Sequence, residues 1–216
     1  NHLSMDRRLK GHREGRKNFA ALPYREIAGF VSKLRHQPGV AAKALEFAIL
    51  TAARSGEARF ADWNEIDFQT KTWTVPAEKM KAKREHKVPL SSRALEILES
   101  MAPADSRKGL IFPGRGNERP LSDMSLSAVL RRMKYEAFTV HGFRSTFRDW
   151  AGETTAYPRE VIEHAIAHQL KDKAEAAYQR GTLLDKRRRL MTEWAKFCAK
   201  VAKITDVTPI RSSLGS

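Results

Sequence analysis

Between Val40 and Ala53 the chain is apolar on nearly every side. Leu45, Phe47, Ile49 and Leu50 fall on different faces of a helical period, so a helix here has no polar face to turn to water. Such a helix must be enclosed by other elements packed around it. A chain of 216 residues has enough material to do this in one domain. No apolar run approaches the ~20 residues that a membrane-spanning helix requires.

The flanking segments supply the enclosure. Leu22-Pro23 opens a helix with Ile27, Phe30, Val31 and Leu34 on one stripe, and Pro38-Gly39 ends it. From Trp63 to Leu90 the pattern becomes strand-like, with Ile66 and Phe68, then Trp73 and Val75, then Val88 and Leu90 alternating between charged connectors. This predicts a small antiparallel sheet of three short strands, with the basic stretch Lys79 to Lys87 in its second turn. Ser91 or Ser92 caps a helix carrying Leu95, Leu98 and Met101. A Pro/Gly/Arg-rich loop from Pro113 to Pro120 precedes a helix beginning near Ser122. Further helices are expected from about His141 to Gly152, Pro158 to His168 and Asp185 to Val201, the last with Leu190, Met191, Trp194 and Phe197 on one stripe. The expected fold class is α+β, mainly α-helical with a small three-stranded antiparallel sheet. Residues 1–20 read as a basic arm, 21–203 as the folded domain and 204–216 as a tail.

The charge balance narrows the partners. Forty Lys+Arg against 25 Asp+Glu leave a formal net charge of +15, which favours a polyanion. Nucleic acid comes first, through phosphate neutralisation and counterion release, and an anionic membrane surface second. The one cysteine, Cys198, excludes an internal disulfide and a cysteine-based zinc finger. The polar N-terminal segment has no apolar signal region. A reducing, cytoplasmic setting is expected.

Three stretches carry chemistry when taken together: TAARSGE with Arg54, HGFR with His141 and Arg144, and AHQLKDKAEAAYQR with His168 and Tyr178. Arginine forks match pairs of phosphate oxygens with a permanent charge. A tyrosine hydroxyl is a weak nucleophile near neutral pH and needs an acid–base neighbour and a polarised phosphorus. Two arginines, two imidazoles and a phenol therefore fit metal-free phosphoryl transfer onto tyrosine. Each residue alone has an ordinary alternative. Arg54 could meet the last carbonyls of the preceding helix, and Glu57 could hold its guanidinium or cap the next helix. His141 and Arg144 could be a surface pair, Tyr178 a packing aromatic, and Arg148 and Asp149 structural. Lys79, Lys81, Lys83, Arg84 and Lys87 could form a solvated basic face. His164 and His168, spaced i,i+4, lack both the zincin order and a third ligand, so no metal is expected.

In these stretches the sequence resembles the catalytic domain of a tyrosine recombinase, in particular the phage-type integrases of genomic islands and prophages. TAARSGEAR, EKMKAKREHKVPLS, VHGFRSTFRDWA, AHQLKDKAEAAYQRG and KRRRLMTEWAKFC carry the likeness from about Leu22 to Cys198. TAAR stands where many members have TG-x-R. The resemblance implies the tyrosine recombinase catalytic-domain fold and a site made of Arg54, Lys81, His141, Arg144, His168 and the nucleophile Tyr178. Glu57 would support Arg54, and Lys79, Lys83, Arg84 and Lys87 would contact DNA. It further implies that neither metal nor other cofactor is used. The substrate would be double-stranded DNA at attachment sites of a bacterial mobile element. Self-association in a synapse, help from accessory DNA-bending or excision factors, and a further DNA-binding domain ahead of this one would be expected. The stripe from Leu190 to Phe197 would pack either on a neighbouring protomer or on its own core.

Three rival readings stay open on the sequence. A type IB topoisomerase-like enzyme would nick and rejoin without strand exchange. A non-catalytic or degenerate basic DNA-binding module would need only the charge. An RNA- or membrane-binding basic domain would need stacked-aromatic motifs or a basic amphipathic helix, and neither is evident.

Overall fold

The computed structural model describes residues 20–116, 119–168 and 180–200. The apolar run forms α2 (Val40–Thr51), in which nine of the twelve residues are buried. Around it pack α1 (Ile27–Arg35), α3 (Ser55–Arg59), α4 (Ser92–Glu99), α5 (Ser125–Arg132), α6 (Gly142–Thr154) and the long C-terminal α8 (Arg180–Cys198), while α7 (Arg159–Ala165) packs on α6 and α8. Ile27, Phe30, Val31 and Leu34 of α1 are all buried, as their spacing predicts.

The sheet has three antiparallel strands in the order β1 (Ile66–Asp67), β2 (Thr72–Val75) and β3 (His86–Pro89). Trp73 pairs with both Ile66 and Val88, and Val75 pairs with His86. Trp73 is fully buried, with its ring 5.2 Å from that of Phe47 in α2. Its indole N–H donates to Glu65 at 2.9 Å, satisfying the polar atom that burial would otherwise strand. The sheet is thus fixed on the central helix, and the β2–β3 connection projects from it. The fold is the expected α+β arrangement.

Several boundaries differ from the sequence reading. The α4 helix starts after Ser91, whose hydroxyl accepts the Ala94 N–H, and it buries Ala94, Ile97 and Leu98. Leu95 is only half-buried and Met101 lies beyond the helix end. The α5 helix begins at Ser125 because Ser122 to Met124 form a turn instead. The α7 helix stops at Ala165, and Ala167 takes a left-handed φ of 50°, so His168 stands outside the helix. Consequently His164 and His168 share no helical face.

The Leu190 to Phe197 stripe packs on this chain's own core. Trp194 is fully buried against Phe147 and Trp150, and its N–H donates to Ile49 O at 2.8 Å. The basic arm before residue 20, Tyr178, and the tail from residue 204 lie outside the described residues.

Candidate active site

The first arginine owes its position to the way α2 ends. Ala52, left-handed at φ 50°, closes the helix, and Arg54 becomes the extended residue that caps α3. From the sequence, Arg54 could meet the last carbonyls of α2. The left-handed turn at Ala52 instead carries it clear of that helix's carbonyls. Glu57, buried in α3, fills both of its possible roles with one carboxylate. Oε2 accepts the Arg54 backbone N–H at 2.8 Å, and Oε1 accepts Nη1 at 2.6 Å. The guanidinium is thereby aimed before any ligand arrives.

Arg144 sits in the first turn of α6 and is 4% exposed. Its Nη1 donates to Ala52 O at 2.5 Å and its Nη2 donates to Ile166 O. Those carbonyls lie two residues ahead of Arg54 and of His168, so Arg144 joins the two segments that carry them. Burial, reinforced by the nearby charge of Arg54, pushes the Arg144 guanidinium down to about 10, with Glu57 opposing. It remains cationic at neutral pH.

His141 is the residue immediately before α6; there the Gly142 N–H donates to Thr139 and the Arg144 N–H donates to His141 O at 3.1 Å. Gly142 follows because the chain entering the domain crosses here. A Cβ at Gly142 would stand 2.2 Å from Ala20 O. Burial, then the charges of Arg144, Arg54 and His168, hold the His141 imidazole below its ordinary range, with Glu57 opposing. His141 is therefore largely neutral near pH 7 and able to accept a proton.

His168 is oriented by an acid that the sequence does not single out. Glu163, buried in α7, stands 2.7 Å from His168 Nδ1 through Oε2, and Oε1 accepts Arg148 Nε at 2.8 Å. A carboxylate on Nδ1 leaves Nε2 as the ring nitrogen turned to another partner. The signal lay in the acid five residues ahead of the histidine, but only the tight turn after α7 makes that spacing a contact.

The β2–β3 connection supplies the remaining cations. Lys79 is committed to the fold: its ammonium pairs with Glu65 and donates to Phe60 O at 2.7 Å. Lys81, Lys83, Arg84 and Lys87 are exposed, with Lys87 3.9 Å from Glu85. A cleft of about 720 Å³ lies between this connection and the helices, lined by Arg54, Glu57, Phe60, Lys81, Lys83 and His141 among others. Arg54, Lys81 and His141 thus face one space, and Arg144 and His168 lie within electrostatic reach of His141. Such a set of fixed cations and a neutral imidazole is suited to holding a phosphodiester.

A model of the phage integrase family matches residues 23–182. The chain belongs to the phage integrase family. It is 35% identical over 193 residues to prophage integrase IntZ of Escherichia coli (strain K12), a match covering 88% of this chain and 47% of that protein. The fold is similar to that of the integrase from mycobacterium phage Brujita, with a TM-score of 0.63 at 20% identity over 88% of this chain and 63% of that one. It is also similar to lambda integrase in a tetramer bound to a Holliday junction, with a TM-score of 0.53 at 17% identity over 71% of this chain and 48% of that one. The chain spans about half the length of IntZ.

Proposed function

We propose that this chain is the catalytic part of a site-specific DNA recombinase that integrates or excises a bacterial mobile element. The observation that carries this reading is the convergence of Arg54, Lys81 and His141 on one cleft, with Arg144 and His168 fixed beside it. Residues 21–203 would be the catalytic domain, preceded by the basic arm and followed by a tail.

In the cleavage step the Tyr178 oxygen forms a bond to the scissile phosphorus while the bond from phosphorus to the 5′-oxygen breaks. His141 takes or relays the phenolic proton, and Lys81 gives a proton to the leaving 5′-oxygen. Arg54 and Arg144 neutralise the non-bridging oxygens as charge builds on them, and His168 Nε2 adds a donor. The product is a 3′-phosphotyrosyl link and a free 5′-hydroxyl. Attack by a partner strand's 5′-hydroxyl reverses each transfer. Bond energy is kept in the covalent link, so the sequence of steps balances without ATP.

Double-stranded DNA at attachment sites is the proposed substrate, with Lys83, Arg84 and Lys87 on the flanking backbone. The lambda integrase tetramer at a Holliday junction supports self-association as the working form. Accessory bending or excision factors and a bacterial cytoplasmic setting fit the same reading. Covalent capture of a nicked DNA substrate, lost in Tyr178→Phe, tests it. A folded protein that binds DNA without capture would favour the rival non-catalytic module.

A further inference from the structure

The run Lys186-Arg187-Arg188-Arg189 looks like a DNA-binding patch, yet two of its arginines turn to the protein. Arg187 on α8, nine residues past Tyr178 in sequence, is 8% exposed. Its Nη1 donates to Lys87 O in β3 at 3.0 Å and to His164 O in α7 at 3.5 Å. Among the described residues no carboxylate pairs with it, and its Nε has no partner. Arg188 continues the seam, reaching Lys71 O at 3.2 Å and Thr72 Oγ1 at 3.3 Å.

A guanidinium buried without a counter-charge opposes folding, and an apolar side chain would fill the same space at lower cost. What an apolar residue could not do is grip carbonyls from two separate elements. β3 is the return strand of the connection bearing Lys81, and α7 leads into the turn bearing His168. Arg187 itself belongs to the helix that follows the nucleophile. Burial, then the charges of Arg187, Arg144 and Arg54, pushes the imidazole of His86, beside Lys87, down to about 3, with a backbone hydrogen bond at Ala165 opposing.

We propose that Arg187 is a positioning residue for DNA cleavage, clamping the return strand of the Lys81 hairpin to the helix that follows Tyr178. The clamp thereby holds the return strand of the hairpin, and with it the Lys81 proton donor, in place at the phosphate. This rests on the proposed recombinase reading.

The test measures covalent capture by the wild-type protein, Arg187→Met and Arg187→Lys. One nicked DNA substrate has the normal 5′-oxygen, and a second has sulfur in its place. Sulfur leaves as a thiolate and needs no proton. With oxygen, Arg187→Met should be slowed ~10²-fold, the scale of a lost transition-state contact. With sulfur, most of that loss should disappear, while DNA affinity stays at the wild-type level. Arg187→Lys, which keeps the charge and one donor, should show the same pattern at smaller amplitude and guards against a misfolded methionine variant. Wild-type rates with both substrates, or equal losses on both, would overturn the positioning role. Failure of the wild-type protein to capture either substrate would instead overturn the recombinase reading beneath it.

Discussion

Glu163 Oε2 stands 2.7 Å from His168 Nδ1, and the same carboxylate holds Arg148 through its other oxygen. One buried acid therefore fixes the ring of a proposed hydrogen-bond donor to the phosphate and ties α6 to α7. Glu163→Gln should slow DNA cleavage by ~10-fold or more, because the neutral amide no longer selects the His168 tautomer. It should also destabilise the fold by about 1 kcal/mol, because Arg148 and His168 are both nearly half exposed and water screens the charge they lose. Capture rates and denaturant unfolding of the same preparation separate the two effects.

Lys79 and Lys81 should behave oppositely. Lys79 pairs with Glu65 and donates to Phe60 O, whereas Lys81 is exposed and lines the cleft. Lys79→Ala should lower the unfolding midpoint and leave most cleavage activity in the folded protein. Lys81→Ala should leave stability within about 0.5 kcal/mol, as for most surface changes. It should nearly abolish cleavage of a normal substrate and recover it when the leaving oxygen is replaced by sulfur. The reverse pattern would assign the proton donor to Lys79.

Gly142→Ala tests why a glycine follows His141. The added Cβ would lie 2.2 Å from Ala20 O and 2.9 Å from Ala20 C, both backbone atoms, and Ala20 O also accepts the Thr139 N–H at 3.1 Å. A loss of about 1–3 kcal/mol is expected, as for other overpacked sites. Because the strain falls at the start of α6, His141 should shift with it, and capture should weaken more than the stability loss alone explains. Thermal unfolding together with capture kinetics checks this.

His86 gives the fold a pH dependence. Its folded value is pushed down to about 3 from an ordinary 6.5, so below the unfolded value the unfolded chain binds the extra proton. The contribution of neutral His86 is full above about pH 6.5 and is lost progressively as pH falls towards 3. Unfolding free energy should therefore fall with acidification across that window, and less steeply in His86→Gln. Equal slopes for the two proteins would place the imidazole in solvent.

Much of this architecture was legible in the residues. The all-round apolar run at Val40 to Ala53, the stripe Ile27, Phe30, Val31 and Leu34, and the alternation about Trp73 each dictate one element, because burial and periodicity are local properties. The end of α7 was not legible: nothing about Ala167 announces a left-handed residue, and the expected helix ran on to His168. Lys79 reads in the sequence as one more solvated cation, because its partner Glu65 is 14 residues away and meets it only once the sheet has formed. Arg187 was hidden in the same way. A run of basic residues reads as a surface patch until packing decides which guanidinium is enclosed.

The central claim is that Tyr178 becomes covalently attached to DNA. It is tested most directly by incubating the protein and its Tyr178→Phe variant with a nicked element–chromosome junction and resolving the products under denaturing conditions. Attack by Tyr178 requires a detergent-resistant protein–DNA adduct with the wild-type protein, a free 5′-hydroxyl on the released strand, and no adduct with the variant. An adduct that survives Tyr178→Phe, or none from a wild-type protein that binds the same DNA, would contradict it.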